Sequence, residues 1–127
     1  MSECCMVYFR SGTSDLDAAA GALTKYRLTV ARQGDQLIVS RPDRPQFRLR
    51  LKTGESVRAE AVEIGEGTSH ERAMQECDAR FEIDIDDLDA ALDEANTLME
   101  VQGALQDASQ GFLFLPWNGS LTEPWRG

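Results

Sequence analysis

Apolar positions along this chain switch repeatedly between the period of a strand and the period of a helix. Residues 4–10, CCMVYFR, form an apolar run that predicts a first strand. In SDLDAAAGALTKY, Leu16, Ala19, Ala20 and Leu23 recur at helical spacing, with Ser14 placed as N-cap and acids in the first turn. RLTVARQGDQLIVSR reads as two short strands joined by a tight turn at Gly34-Asp35, and PDRP follows as a stiff loop. QFRLRLK alternates cleanly: Phe47, Leu49 and Leu51 face inward, and Arg48, Arg50 and Lys52 face outward.

A short helix is expected over residues 55–64, with Val57, Ala61 and Ile64 inward. Thr68 and Glu71 have the spacing of a capping box opening a further helix, HERAMQECD. RFEIDID alternates again, with Phe81, Ile83 and Ile85 on one face. The longest helix is expected from about Asp87 to Ala108, burying Leu88, Leu92, Ala95, Met99 and Gln102, with Ala91, Leu98 and Leu105 widening the stripe. GFLFLPWNGSLTEPW closes the chain. Phe112 to Leu115 predict a strand covered on both faces, and Asn118-Gly119 is a hairpin dipeptide that turns SLT back along it. This end is therefore expected to be the closing strand of the sheet.

The fold class that results is α+β: a mostly antiparallel sheet of about five to six strands, packed by one long C-terminal helix and two to three shorter helices. At 127 residues the chain suits a single domain, 1–127, with one ordinary core. The core DLDAA occurs twice, in SDLDAAAGAL at 14–23 and in DDLDAALDEA at 86–95. Each copy follows a strand and precedes another, so a pseudo-symmetric β-α-β arrangement competes with coincidence.

Composition narrows the function. A hydrophobic share of 42% with 28% charged residues fits a folded, soluble chain. No apolar stretch is long enough to span a bilayer, and Glu3 stands where a secretory leader carries positive charge, so a cytoplasmic location is expected. The net charge of −9 is unevenly spread: residues 24–58 carry about +6 and residues 59–127 carry −13. An acidic chain of this kind avoids nucleic acid and anionic membranes and favours a basic partner.

Candidate chemistry is sparse. Cys4, Cys5 and Cys77 have no disulfide spacing, and adjacent cysteines on a strand point to opposite faces. His70 and Cys77 lie seven residues apart, about 10 Å along a helix at ~1.5 Å per residue, too far for a hydrogen-bonded pair. IDIDDLDAALDE lacks the glycine and ligand spacing of a calcium loop, and helix capping accounts for its acids more simply. Walker, dinucleotide, nucleophile-elbow and H-E-x-x-H motifs are absent. The expectation is a non-enzymatic protein with no catalytic residues, no metal and no cofactor.

The candidate binding residues lie in the later half. Asp89, Asp93, Asn96, Glu100 and Asp107 fall within one narrow band of the long helix. Asp89 and Asp93 repel at i,i+4, and Asp107 is unfavourable near a helix C-terminus. The band is either a solvated face or one that meets a basic surface. That surface is either the chain's own Arg48, Arg50 and Lys52 or another protein. The same strand bases equally serve to protect a sheet edge. Trp117 and Trp125 flank the final turn, and tryptophan is enriched at interface hot spots, although core packing explains them equally well.

FLFLPWNGSL, after a helix beginning DLDAALDEANTL, resembles the ends of small bacterial proteins. The overall build resembles the immunity proteins of bacterial toxin systems, which are short, acidic, cytosolic and α+β without a catalytic motif. The resemblance is to a type, covers the final third and carries over no functional residue; the basic middle departs from it. It implies an inhibitor that neutralises a basic toxin or nuclease. The alternatives are a self-associating module acting as a homodimer, and a small enzyme or ligand-binding protein with a carboxylate site.

Overall fold

A computed structural model of the chain describes residues 3–40, 46–85, 88–93 and 95–124. The first strand, β1 (Glu3–Phe9), leads into helix α1 (Leu16–Lys25). Strands β2 (Thr29–Gln33), β3 (Gln36–Ser40) and β4 (Phe47–Thr53) follow, then helices α2 (Glu55–Gly65) and α3 (Glu71–Met74). Next come β5 (Ala79–Ile85), α4 (Leu88–Asp93), α5 (Ala95–Ser109), β6 (Phe112–Leu115) and β7 (Ser120–Thr122).

The strands form one sheet in the order β2-β3-β4-β5-β1-β6-β7, with every neighbouring pair antiparallel. Seven strands exceed the expected five to six because GFLFLPW does not close the sheet. The Asn118-Gly119 turn adds β7 outside it, with Gly119 at φ 72° and the Ser120 N–H donating to Asn118 Oδ1 at 2.9 Å. The expected single long helix is described as α4 and α5, with residue 94 between them outside the described residues. PDRP and Trp125 also lie outside them.

Alternating antiparallel neighbours make β1 parallel to β4 and β5 parallel to β6. The path β1–α1–β4–β5–α5–β6, with β2–β3 inserted, is thus a split β-α-β arrangement. The two DLDAA segments occupy equivalent places in it, each opening the helix that leaves a central strand. Ala19 and Ala91, the last alanines of the two copies, are both fully buried.

The sheet separates two apolar clusters. The larger sets Val7, Phe9, Leu49, Phe81 and Ile83 against Leu16, Leu23, Leu98, Val101 and Leu105 of the helices. On the opposite face, Met6 and Tyr8 pack against Val57 and Ala61 of α2, Met74 of α3 and Cys77 just after it. Both faces of β1 are therefore covered, which is why its sequence is a run rather than an alternation.

Local chemistry corrects three expectations. Asp15, not Ser14, caps α1: its carboxylate accepts from the Ala18 N–H at 2.8 Å, which shifts the helix start by one residue. The Thr68/Glu71 box does not form, because α3 begins at Glu71 itself. Its Oε2 instead accepts from the Gly67 N–H at 2.8 Å, and α3 covers only Glu71–Met74. Met99, expected inward, is 65% exposed. The buried row of α5 runs through Leu98, Val101, Gln102 and Leu105, one residue away from the row containing Met99, because that row supplies the larger apolar volume.

Arg27 ends α1 in the left-handed region at φ 63°, where the Leu28 N–H reaches back to the Leu23 carbonyl at 3.3 Å. A side chain is disfavoured there. Arg27→Gly is expected to stabilise the protein by about 0.5–1 kcal/mol, read as a higher urea midpoint at unchanged slope.

Candidate functional site

Two charged surfaces result from this architecture. The first is the sheet face opposite α1 and α5. Alternation places Arg48, Arg50 and Lys52 of β4 on this face, in register with Asp84, Glu82 and Arg80 of β5. Cys4, Met6 and Tyr8 of β1 stand on the other side of β5. Glu82 is only 7% exposed and sits at the centre. Arg50 reaches it at 3.1 Å, Lys52 at 3.3 Å and Arg80 at 3.0 Å, and Arg50 also meets Asp84 at 2.7 Å. Glu60 of α2 accepts from both the Tyr8 hydroxyl and Arg80, so the network ties α2 to the sheet.

The electrostatics divide these carboxylates. Burial alone raises the Glu82 carboxyl, but the hydrogen bond from Lys52 and the charges of Arg80, Lys52 and Arg50 outweigh it and hold Glu82 below its ordinary value of 4.5. Asp84 is raised above 3.8, first by burial and then by the neighbouring Glu82, against the pull of Arg50.

This arrangement resolves the partner of the basic strand. Arg50 and Lys52 meet β5, not the helical acids, and Arg48 stands opposite Asp84 in register. The signal was present in the sequence: R-x-R-x-K in QFRLRLK and E-x-D in RFEIDID are complementary at strand spacing.

The second surface is the outer face of α5. Asn96, Met99, Glu100, Gly103 and Asp107 share one side of this helix at i, i+3, i+4, i+7 and i+11 spacing. Asn96, Met99 and Asp107 are exposed and Glu100 is half-buried. Asp89, on α4, is also exposed. Among the described residues, neither Asp89 nor Asp107 forms an ion pair. Asp107 accepts a hydrogen bond from the Tyr26 hydroxyl at 2.8 Å, which raises the Tyr26 phenol. Beside it, Ala18, Gly21, Ala22 and Ala108 form the floor of a shallow groove between α1 and α5. Asp93 ends α4, and its side chain lies outside the described residues.

Trp117 is half-buried and packs against the larger cluster, so it contributes to the interior as well as the surface. The cysteines and the histidine are dispersed. Cys5 is buried beneath α5, where the Gln102 amide donates to its sulfur at 3.6 Å. Cys4 faces the opposite side of the sheet, and Cys77 packs under α3 with its thiol directed to the Ala73 carbonyl. The His70 ring lies tilted against that of Phe112, with centroids 5.2 Å apart and the planes at 48°. Among the described residues, no group of three or more His, Cys, Asp or Glu side chains is placed to hold a metal ion. No helix among them is long and apolar enough to cross a membrane.

Burial pushes the Cys5 thiol up to about 12 and the Cys77 thiol to about 11. Cys4 is also raised, by burial first and then by Glu82 and Asp84, but it alone is partly exposed. In the folded protein at about pH 8, a disulfide thiol reagent is expected to modify only Cys4, and slowly, whereas the urea-unfolded chain releases three equivalents. Rapid reaction of two or more thiols in the native state would contradict this placement.

Comparison with protein-family models, with curated proteins and with solved structures finds no match for this chain.

Proposed function

We propose that the protein is a small non-catalytic binding protein that engages a basic protein surface through the outer face of α5, in the manner of an immunity-type inhibitor of a basic toxin or nuclease. One observation carries this reading. Met99 is the most exposed large apolar residue among the described ones, and it stands in a helical row with Asn96, Glu100 and Asp107. An exposed apolar side chain bordered by acids suits a partner that brings cations around an apolar contact. The acids steer encounter and the methionine contact slows release.

The division of the carboxylates supports the same reading. Glu82 and Asp84 are engaged by the chain's own cations, whereas Asp89 and Asp107 are exposed and, among the described residues, meet no cation. Trp117 and Trp125 remain part of the proposal as flanking contacts, with Asp93 continuing the acidic row.

The test compares wild type with a Glu100→Lys/Asp107→Lys variant in extracts of the native cell. Wild type is expected to retain a basic protein with an affinity that falls as salt rises from about 50 to 300 mM, because surface charges are screened. The variant is expected to bind that protein at least about tenfold more weakly. Retention of the same protein by both forms, or retention of none, removes this reading.

A further inference from the structure

We propose a second, unrelated site at the end of the sheet where β1 and β5 meet α2 and α3: a pocket for a small organic anion with an apolar body, of the class of a medium-chain or aromatic monocarboxylate.

Two hollows adjoin there. One is a cavity of about 160 Å³ whose walls include Tyr8, Phe9, Ala73, Cys77 and Phe112. The other is a polar cleft of about 290 Å³ formed by Arg10, Ser11, Arg58, Glu76 and Asp78. Arg10 and Glu76 line both, so the apolar cavity opens directly beside the charged cleft.

The cleft mixes two arginines with two acids, and the Asp78 carboxyl is held below its ordinary value by its hydrogen bonds from Ser11 and, more weakly, by the charge of Arg58. Asp78 is held by Ser11, whose N–H donates to Oδ1 at 2.7 Å and whose hydroxyl donates to Oδ2 at 2.8 Å. Each carboxylate oxygen thus accepts one hydrogen bond from Ser11. Among the described residues, Arg10 and Arg58 form no ion pair, although two carboxylates line the same cleft. In a chain of net charge −9, two exposed arginines with no ion pair among the described residues stand on the cleft beside an apolar hole. Arginine forks are suited to carboxylate oxygens, and a pocket that joins an apolar wall to a few convergent polar groups is the usual form of a small-molecule site.

Size sets the body of the ligand. A cavity of about 150 Å³ holds a single benzene ring, so this one accommodates one ring or a chain of about six carbons. The carboxylate would then lie at the mouth, between Arg10 and Arg58, with the apolar body against Ala73, Cys77 and Phe112. This site lies on different elements from the α5 face, so neither proposal depends on the other.

Hexanoate is the probe, followed by amide NMR titration of the full chain. Saturable one-to-one shifts at Arg10, Thr13, Cys77 and residues 109–112 are expected, with hexylamine producing none. Along the series from acetate to decanoate, affinity is expected to rise to about six carbons and then level off as the cavity fills. Arg10→Gln/Arg58→Gln replaces two exposed side chains, leaves the fold intact and is expected to weaken hexanoate about tenfold or more. Ala73→Leu fills the cavity and is expected to abolish binding. Three results would overturn the site: no saturable shifts up to about 20 mM hexanoate, equal shifts with hexylamine, or an affinity indifferent to both chain length and the double variant.

Discussion

Replacing Arg80 with methionine is expected to destabilise the protein by about 3–5 kcal/mol. The side chain is only 13% exposed, and its guanidinium joins Glu60 of α2 to Glu82 at the centre of the sheet. Its loss takes one of three cations from a nearly buried carboxylate, leaves Glu60 without its cation and releases the clamp on α2. Lys52 and Arg50 still reach Glu82, but both approach from the β4 side and neither contacts Glu60 in the native network. The double variant Arg80→Met/Glu82→Met is expected to recover more than half of the loss. A buried ion pair exchanged for apolar side chains is often close to neutral, whereas a broken one is not.

The pH dependence has a definite sign. Glu82 has a lowered folded-state value, so its contribution is present above its unfolded value near 4.5 and is lost as pH falls through the folded value. The gap between wild type and Arg80→Met is therefore expected to narrow on acidification below about pH 4.5. Asp84, raised above 3.8, works the other way: it favours the folded state at pH below its unfolded value and loses this contribution as pH rises through its folded value. Urea unfolding of both proteins across this range measures the difference. An Arg80→Met penalty under about 1 kcal/mol at neutral pH would show that the network is a solvated surface arrangement.

Phe81→Ala is expected to cost about 3–5 kcal/mol as well, by a different mechanism. Phe81 is fully buried on β5, flanked by β4 and β1, with its ring 4.7 Å from that of Phe9. Truncation removes the transfer free energy of a ring and opens a cavity between the sheet and the α1/α5 layer. Phe81→Leu keeps most of the volume and is expected to cost less than half as much. Unlike the Arg80 effect, this one is expected to show no pH dependence beyond that of the wild type between about pH 4 and 7, because no titrating group loses a partner.

These two residues are neighbours in sequence, yet they differ in how much of their role could be read from it. RFEIDID announces an alternating strand, and from that pattern alone Phe81, Ile83 and Ile85 belong on a buried face. The same alternation puts Arg80, Glu82 and Asp84 together on the other face. What it does not say is that Glu82 is nearly as buried as the phenylalanine. That depends on α2, whose Glu60 comes from 20 residues upstream of Arg80, and on β4, whose Arg50 comes from 32 residues upstream of Glu82. The acidic band of the C-terminal helix shows the same limit. The spacing of Asn96, Glu100 and Asp107 is legible, but the helical period fits two adjacent apolar rows equally well and so cannot tell that Met99 faces outward.

The pleat of each strand, the turns at Gly34-Asp35 and Asn118-Gly119, and the helical character of the two DLDAA segments are determined by the sequence by itself, because they depend on backbone preferences and side-chain periods within a few residues. Only the tertiary structure decided the order of the seven strands, the outward turn of Met99, the capture of Glu82 by three cations, and the placing of Arg10 and Arg58 on one cleft beside an apolar cavity. Each of these joins or orients groups through distant parts of the chain, and local periodicity carries no information about which distant surface an element will meet.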